Sequence, residues 1–225
     1  MQLITNGYDD FIARNIHEQF SRKSGAHRIA SAFSLCHLSR LIRLRRPKAV
    51  LEIGSGIGTV AQLVLLHHQK VERLYSIEED LFCRSVLREN VTPLQGQNWT
   101  LLKSHREIPK NLAFDLIVFD GNQYDHSTFA FLCAETAVFI DGMRRRTRDE
   151  LTAHCEEVGL SLRLHEYTGG WRVGLRGLSD RQSAPGLFVK RDRCHLGVCK
   201  GRVPVPGMGY PQRVPAFEAP GVETA

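Results

Sequence analysis

The sequence predicts an α/β fold: a doubly wound, mainly parallel sheet with helices on both faces, preceded by N-terminal helices. Three observations carry this. From about residue 49 to residue 158, apolar runs of strand length alternate with segments of helical periodicity, the pattern of successive right-handed βαβ units. The first run ends in a glycine turn, Gly54-Ser55-Gly56-Ile57-Gly58. The second, fourth and fifth runs each end in an acid: Glu78, Asp120 and Asp141.

Taken in order, Tyr8 to Leu44 reads as two helices. Ile12, Ile16 and Phe20 recur at i, i+4, i+8, and Ile29, Phe33, Cys36, Leu38, Leu41 and Ile42 continue an apolar face. Ser21 to Gly25 separates the two, and Pro47 stops the second. Ala49 to Ile53 is a buried strand, followed by the glycine turn and a helix from Thr59 to about His68. Leu74 to Ile77 is a second strand, closed by Glu78-Glu79-Asp80, and Leu81 to Asn90 is helical. After a loop at Pro93 to Gln97 come strands at Trp99 to Leu102 and Phe114 to Phe119, a helix near Ser127 to Glu135, and a fifth strand at Ala137 to Ile140. A helix over Thr147 to Val158 and strands at Ser161 to Tyr167 and Gly186 to Lys190 complete the pattern. The organisation expected is an N-terminal helical segment (1–46), a ligand-binding α/β domain (47–200) and an irregular tail (201–225) carrying Pro204, Pro206, Pro211, Pro215 and Pro220.

At 225 residues, 42% apolar and 24% charged, the chain has the size and balance of one globular α/β domain. Gln62 and Glu135 break the longest apolar runs, which stay short of the ~18 residues that span a bilayer. The start, Met1 to Asn6, lacks a basic stretch followed by an apolar one, so no signal peptide is expected and the cytoplasm is the expected compartment. Cys36, Cys83, Cys133, Cys155, Cys194 and Cys199 read as reduced thiols. Cys194 and Cys199 flank His195, but no second pair stands at zinc spacing. The formal charge is +6, with basic runs at Arg40 to Lys48, Arg144 to Arg148 and Lys190 to Arg202. These are solvated faces or sites for an anionic acceptor or nucleic acid. No aromatic residues interleave them, so stacking on exposed bases gains no support.

The glycine turn carries the chemistry. Glycines permit a tight strand-to-helix turn and let the backbone approach a ligand closely. Dinucleotide folds favour G-x-G-x-x-G with a pyrophosphate at the helix start, whereas here the pattern is Glu52-x-Gly54-x-Gly56-x-Gly58. A carboxylate at Glu52 opposes a phosphate and suits a sulfonium or an α-ammonium group. Glu78, twenty residues after Gly58, ends the second strand, where a carboxylate accepts hydrogen bonds from ribose hydroxyls. Glu79 and Asp80 are rivals by one and two positions.

On these residues the chain resembles the class I S-adenosylmethionine-dependent methyltransferases, with their Rossmann-like domain. The resemblance rests on Val50 to Gly58, Tyr75-Ser76-Ile77-Glu78 and Phe114 to Gly121, and covers roughly Arg40 to Val158. It implies S-adenosylmethionine as cofactor. The glycine turn (Glu52, Gly54, Ser55, Gly56, Gly58) would hold the methionine part, Glu78 the ribose, and Ser104 or His105 would flank adenine. The phrase ending in Asp120-Gly121 resembles the catechol O-methyltransferase-like branch. Its metal-dependent members carry an acid and a lysine after the fourth strand and Asp-Asn after the fifth. Here Asp120 and Asp141 match, while Gln123 and Gly142 depart, so a divalent metal stays open.

Methyl transfer asks the protein to align a nucleophile and, for a hydroxyl, to take its proton. Asp120, Tyr124, Asp125, His126 and Asp141 follow strand ends, where ligands bind in such sheets. His126 is the expected general base, with Asp120 beside it. Arg144, Arg145, Arg146 and Arg148 are candidates to hold an anionic group of the acceptor. The leading expectation is O-methylation of a small molecule. The alternatives are methylation of RNA or another macromolecule, and a methyltransferase-like interaction protein without activity.

Overall fold

The computed structural model describes residues 7–67, 71–91, 98–109, 112–121, 125–142, 145–175 and 187–201. Helix α1 (Gly7–Ser21), a 3-10 turn (Ala26–Arg28) and helix α2 (Ala32–Arg45) precede the first strand. Ser31 caps α2 by accepting from the Ser34 amide, and the helix ends where Arg46 turns left-handed just before Pro47. The alternating region follows: β1 (Ala49–Ile53), α3 (Thr59–Leu66), β2 (Arg73–Ile77), α4 (Leu81–Asn90), β3 (Asn98–Leu102), β4 (Leu116–Phe119), β5 (Ala137–Asp141) and α5 (Arg145–Glu157). Three strands close the chain: β6 (Leu160–Leu162), β7 (His165–Leu175) and β8 (Leu187–Gly201).

The sheet runs in the order β3-β2-β1-β4-β5-β8-β6, with β7 also paired to β8. The first five strands of that order are mutually parallel, and β8 is antiparallel to β5, β6 and β7. After β1 the chain winds outward to β2 and β3, then returns to place β4 on the other side of β1. The connections leaving β1 and β4 therefore lie on opposite faces, α3 on one and the 3-10 turn His126–Phe131 on the other, leaving a crevice at the carboxyl ends of these strands.

Alternating side chains divide the core between the two sheet faces. Val50, Leu116 and Phe139 face α1, α2 and α3, whereas Leu51, Ile117 and Val138 face the side of α5. The N-terminal helices share the first of these cores through Ala13, Ile16, Phe20 and Leu35. A buried polar chain adds to the tie. Asp9 on α1 pairs with Arg43 at 2.9 Å and accepts from Ser39 Oγ at 2.8 Å, both on α2, and Ser39 Oγ lies 3.0 Å from His67 Nε2.

The C-terminal strands differ from expectation. The basic run Lys190 to Arg202 falls largely on β8, an inner strand between β5 and β6. Its charged start hides the alternation that follows: Cys194, Leu196 and Val198 belong to one face and Cys199 to the other. Cys194 and Cys199 thus lie on opposite sides of the sheet and do not form a ligand pair. Cys199 Sγ instead lies 3.9 Å from Cys155 Sγ, and all six cysteines are free. The helix expected near Ser127 to Glu135 is a shorter 3-10 turn, His126–Phe131, capped by Asp125. Gly201 ends β8; residues 202–225 and the Pro93 to Gln97 loop lie outside the described residues.

Asp9→Ala removes the ion-pair partner of Arg43, leaves Ser39 with His67 alone and is expected to cost about 3 kcal/mol in urea unfolding. Asp10→Ala, which removes only an exposed pair with Arg14, is expected to cost less than about 0.5 kcal/mol.

Candidate functional site

The glycine turn closes directly onto the end of β4. A Cβ on Gly54 (φ +84°) would stand 2.2 Å from Gly121 Cα, so no side chain fits there. The amides of Asp120 and Gly121 both donate to Ile53 O at 2.9 Å, and the Gly54 amide donates to Ile77 O at 2.9 Å. The ends of β1, β2 and β4 are locked together by these bonds. Gly58 (φ +104°) starts α3, and its missing Cβ would lie 2.3 Å from Val91 Cγ2.

Glu78 bridges this frame. One carboxylate oxygen accepts from the Gly56 amide at 2.6 Å and the other from the Asp80 amide at 2.9 Å. Of the three consecutive acids, Glu78 is therefore the one fastened to the glycine turn. Asp80 caps α4 through the Cys83 amide.

Glu52 occupies a different level. It is fully buried beneath the turn, where one oxygen accepts from Ser55 Oγ at 2.9 Å and Ser76 Oγ at 2.5 Å and the other has no hydrogen-bond partner. Burial pushes its pKa up to about 7, against the opposing pull of those two hydroxyls. The Ala61 amide of α3 also faces it. Glu52 and Ser55 lie under the turn and are not among the residues that line the cleft described next.

A cleft of about 660 Å³ opens over the turn, within the size range of ligand sites. Its floor includes Ile53, Gly54, Gly56 and Ile77. Glu78, Glu79, Asp80, Asp120, Asp125 and Asp141 supply its acids. His105 lines it too, with Nε2 2.6 Å from Ser127 Oγ and Nδ1 3.7 Å from Asp125. The Ser127 hydroxyl and amide hold the Asp125 carboxyl below its usual range. His27 and Ile29, from the segment joining α1 to α2, complete the lining.

The structure brings together Gly54, Gly56, Glu78, Asp120, Asp141 and His105. It does not bring Ser104 or His126 to the cleft. Ser104 is consumed in a capping box with Glu107. The His126 side chain is 62% exposed and lies 3.6 Å from Glu150 on α5, because the 3-10 turn begins there and directs it outward. Arg146 pairs with Glu150 and Arg148 with Asp149, and neither lines the cleft. Gln123, Tyr124 and Arg144 lie outside the described residues. Among the described residues, no three His, Cys, Asp or Glu side chains are grouped to hold a metal ion. His27 and Ile29 had no signal in the sequence beyond Gly25, whose turn carries the chain over the cleft.

No family model matches the sequence, and no curated protein matches it. Solved structures do. A Klebsiella pneumoniae protein provisionally named an O-methyltransferase matches with a TM-score of 0.56 at 18% identity, over 88% of this chain and 98% of its own. A Pyrococcus horikoshii protein provisionally named an RNA methyltransferase matches at 0.53 and 14% identity, over 88% and 100%. The O-methyltransferase TomG of Streptomyces achromogenes, involved in tomaymycin synthesis and solved with S-adenosylmethionine, matches at 0.53 and 14% identity, over 88% and 92%. The chain has the Rossmann-like fold of the class I S-adenosylmethionine-dependent methyltransferases.

The buried carboxyl gives a stability test. An acid whose pKa rises from 4.5 to about 7 on folding contributes most below pH 4.5 and loses that contribution as pH climbs towards 7. The loss is on the order of 3 kcal/mol. Glu52→Gln is expected to flatten this decline in urea unfolding between pH 4.5 and 7.5; an unchanged slope would assign the pH dependence to other groups.

Proposed function

We propose that the chain is an S-adenosylmethionine-dependent methyltransferase that O-methylates a small molecule. The observation that carries this reading is the convergence of Glu78 and the glycine turn in one cleft at the point where the strand order reverses. The residues present fit the cofactor. Glu78 is preset by two backbone amides to receive the ribose hydroxyls. His105 flanks the adenine side, and Ile53 and Ile77 give an apolar floor. When bound, the cofactor supplies an activated methyl group on a sulfonium.

The protein's own part is positioning and charge. A lining rich in carboxylates favours a positively charged ligand centre. Asp120 and Asp141 follow β4 and β5 at the cleft edge, where a carboxylate orients an acceptor hydroxyl and accepts its proton. With His126 turned outward, Asp120 is the stronger candidate of the two catalytic residues expected. Among the described lining residues there is no Lys or Arg, which favours a neutral or cationic acceptor over the anionic one that the arginine run suggested. The same acid lining counts against a nucleic-acid acceptor. No described helix is long and apolar enough to cross a membrane, and the cytoplasm remains part of this proposal.

Calorimetric titration with S-adenosylhomocysteine tests the reading. Binding to the wild type is expected, with at least about a tenfold loss in Glu78→Ala, the size of a hydrogen bond to a charged group. Glu79→Ala is expected to change affinity by less than about threefold. No binding to folded wild type would sink the reading and bring forward the interaction-protein alternative.

A further inference from the structure

The peptide between Ile57 and Gly58 is held from outside the turn. Turning a peptide over rotates ψ of the residue before it and φ of the residue after it. Here the residue after it is Gly58, at φ +104°, and glycine accepts either sign of φ at little cost. The orientation of this peptide therefore depends on its hydrogen bonds. Its amide end donates from Gly58 N–H to Ser55 O at 2.9 Å, within the turn. Its carbonyl end is held by a side chain: Asn90, the last residue of α4, donates from Nδ2 to Ile57 O at 3.1 Å. Val91 covers the same peptide, since a Cβ on Gly58 would lie 2.3 Å from its Cγ2.

Asn90 is itself aimed. Lys23 Nζ, from the connection between α1 and α2, donates to Asn90 Oδ1 at 2.9 Å. An ammonium only donates and a carbonyl only accepts, so these two partners admit one orientation of the carboxamide, with its oxygen towards Lys23 and its NH₂ towards Ile57. Lys23 is placed for this by its own amide, which donates to Phe20 O at 3.0 Å, and by its ammonium, 5.4 Å from the centre of the Phe20 ring. Two residues further on, the chain packs directly on Ile57, where a Cβ on Gly25 would lie 2.7 Å from Ile57 Cγ2. Lys23, Ile57 and Asn90 are not among the residues lining the cleft, whereas Gly54 and Gly56 are part of its floor.

We propose that Asn90 is a positioning residue: oriented by Lys23, it fixes the Ile57–Gly58 peptide and with it the shape of the glycine turn beneath the ligand. Its bearing on the cofactor rests on the reading above. Through Lys23 the connection between the N-terminal helices acts on ligand affinity from outside the cleft.

Titration of single and double variants with S-adenosylhomocysteine tests this. Asn90→Asp is isosteric, keeps an oxygen for Lys23 and loses the donor to Ile57 O. It is expected to weaken binding at least about fivefold. A role confined to tying α4 to the N-terminal segment would leave affinity unchanged, because the Lys23 pair is kept. Lys23→Met is expected to weaken binding about threefold where Asn90 is present and to have no effect in combination with Asn90→Ala, since Lys23 then has nothing to orient. Lys23→Arg, which keeps a donor, is expected to recover part of the loss. Unchanged affinity in Asn90→Asp, or an equal loss from Lys23→Met in both backgrounds, overturns the assignment. If the folded wild type binds no S-adenosylhomocysteine, the cofactor reading fails, and spectra of ligand-free ¹⁵N-labelled protein still decide the positioning. Lys23→Met is expected to shift the Gly58 amide only where Asn90 is present; no shift there overturns it.

Discussion

The contact between Gly54 and Gly121 is the constraint on which the site depends. Two backbone turns meet with no room for a Cβ, and the carbonyl of Ile53 receives two amides from the facing turn. This fixes the ends of β1 and β4 against each other at the place where their outgoing connections part to opposite faces of the sheet. The crevice is therefore a consequence of strand order, and the glycine contact sets its floor. Glu78 then reaches across from β2 to the Gly56 amide, so three strand ends and the turn form one rigid frame.

Charge is layered on this frame. Glu52 lies below the turn, out of water and with its pKa raised, bonded to Ser55 and Ser76. It ties Ser55 of the turn to Ser76 of β2 and lies outside the cleft lining. Above the turn, six carboxylates and two histidines supply the charged and titratable lining of the cleft. Such a lining suits a cofactor with a cationic centre.

The parallel strands and the glycine turn were legible because their signals are local. A buried run followed by glycine, or ended by an acid, is visible within ten residues. Glu78 could be preferred over Glu79 and Asp80 because the apolar pattern stops at Ile77, and it is the acid that bonds to the amides of Gly56 and Asp80. What escaped depends on contacts distant in sequence. The inner position of β8 was masked by the charged residues at its start, although Cys194 and Cys199 alternate faces as any strand requires. His27 reaches the cleft only because Gly25 packs on Ile57, thirty-two positions away. His126 faces α5 because of a 3-10 turn whose direction no periodicity reveals, and Arg146 and Arg148 of α5 find partners on their own helix.

The central claim is that the cofactor occupies the cleft framed by Gly54, Gly56 and Glu78. Adding S-adenosylhomocysteine to ¹⁵N-labelled protein and following amide shifts tests it most directly. The account predicts saturable shifts at residues 54–58, 78–80 and 120–121, with little change along α5 and β6. Shifts confined to α5 and β8, or none at saturating ligand, would contradict it.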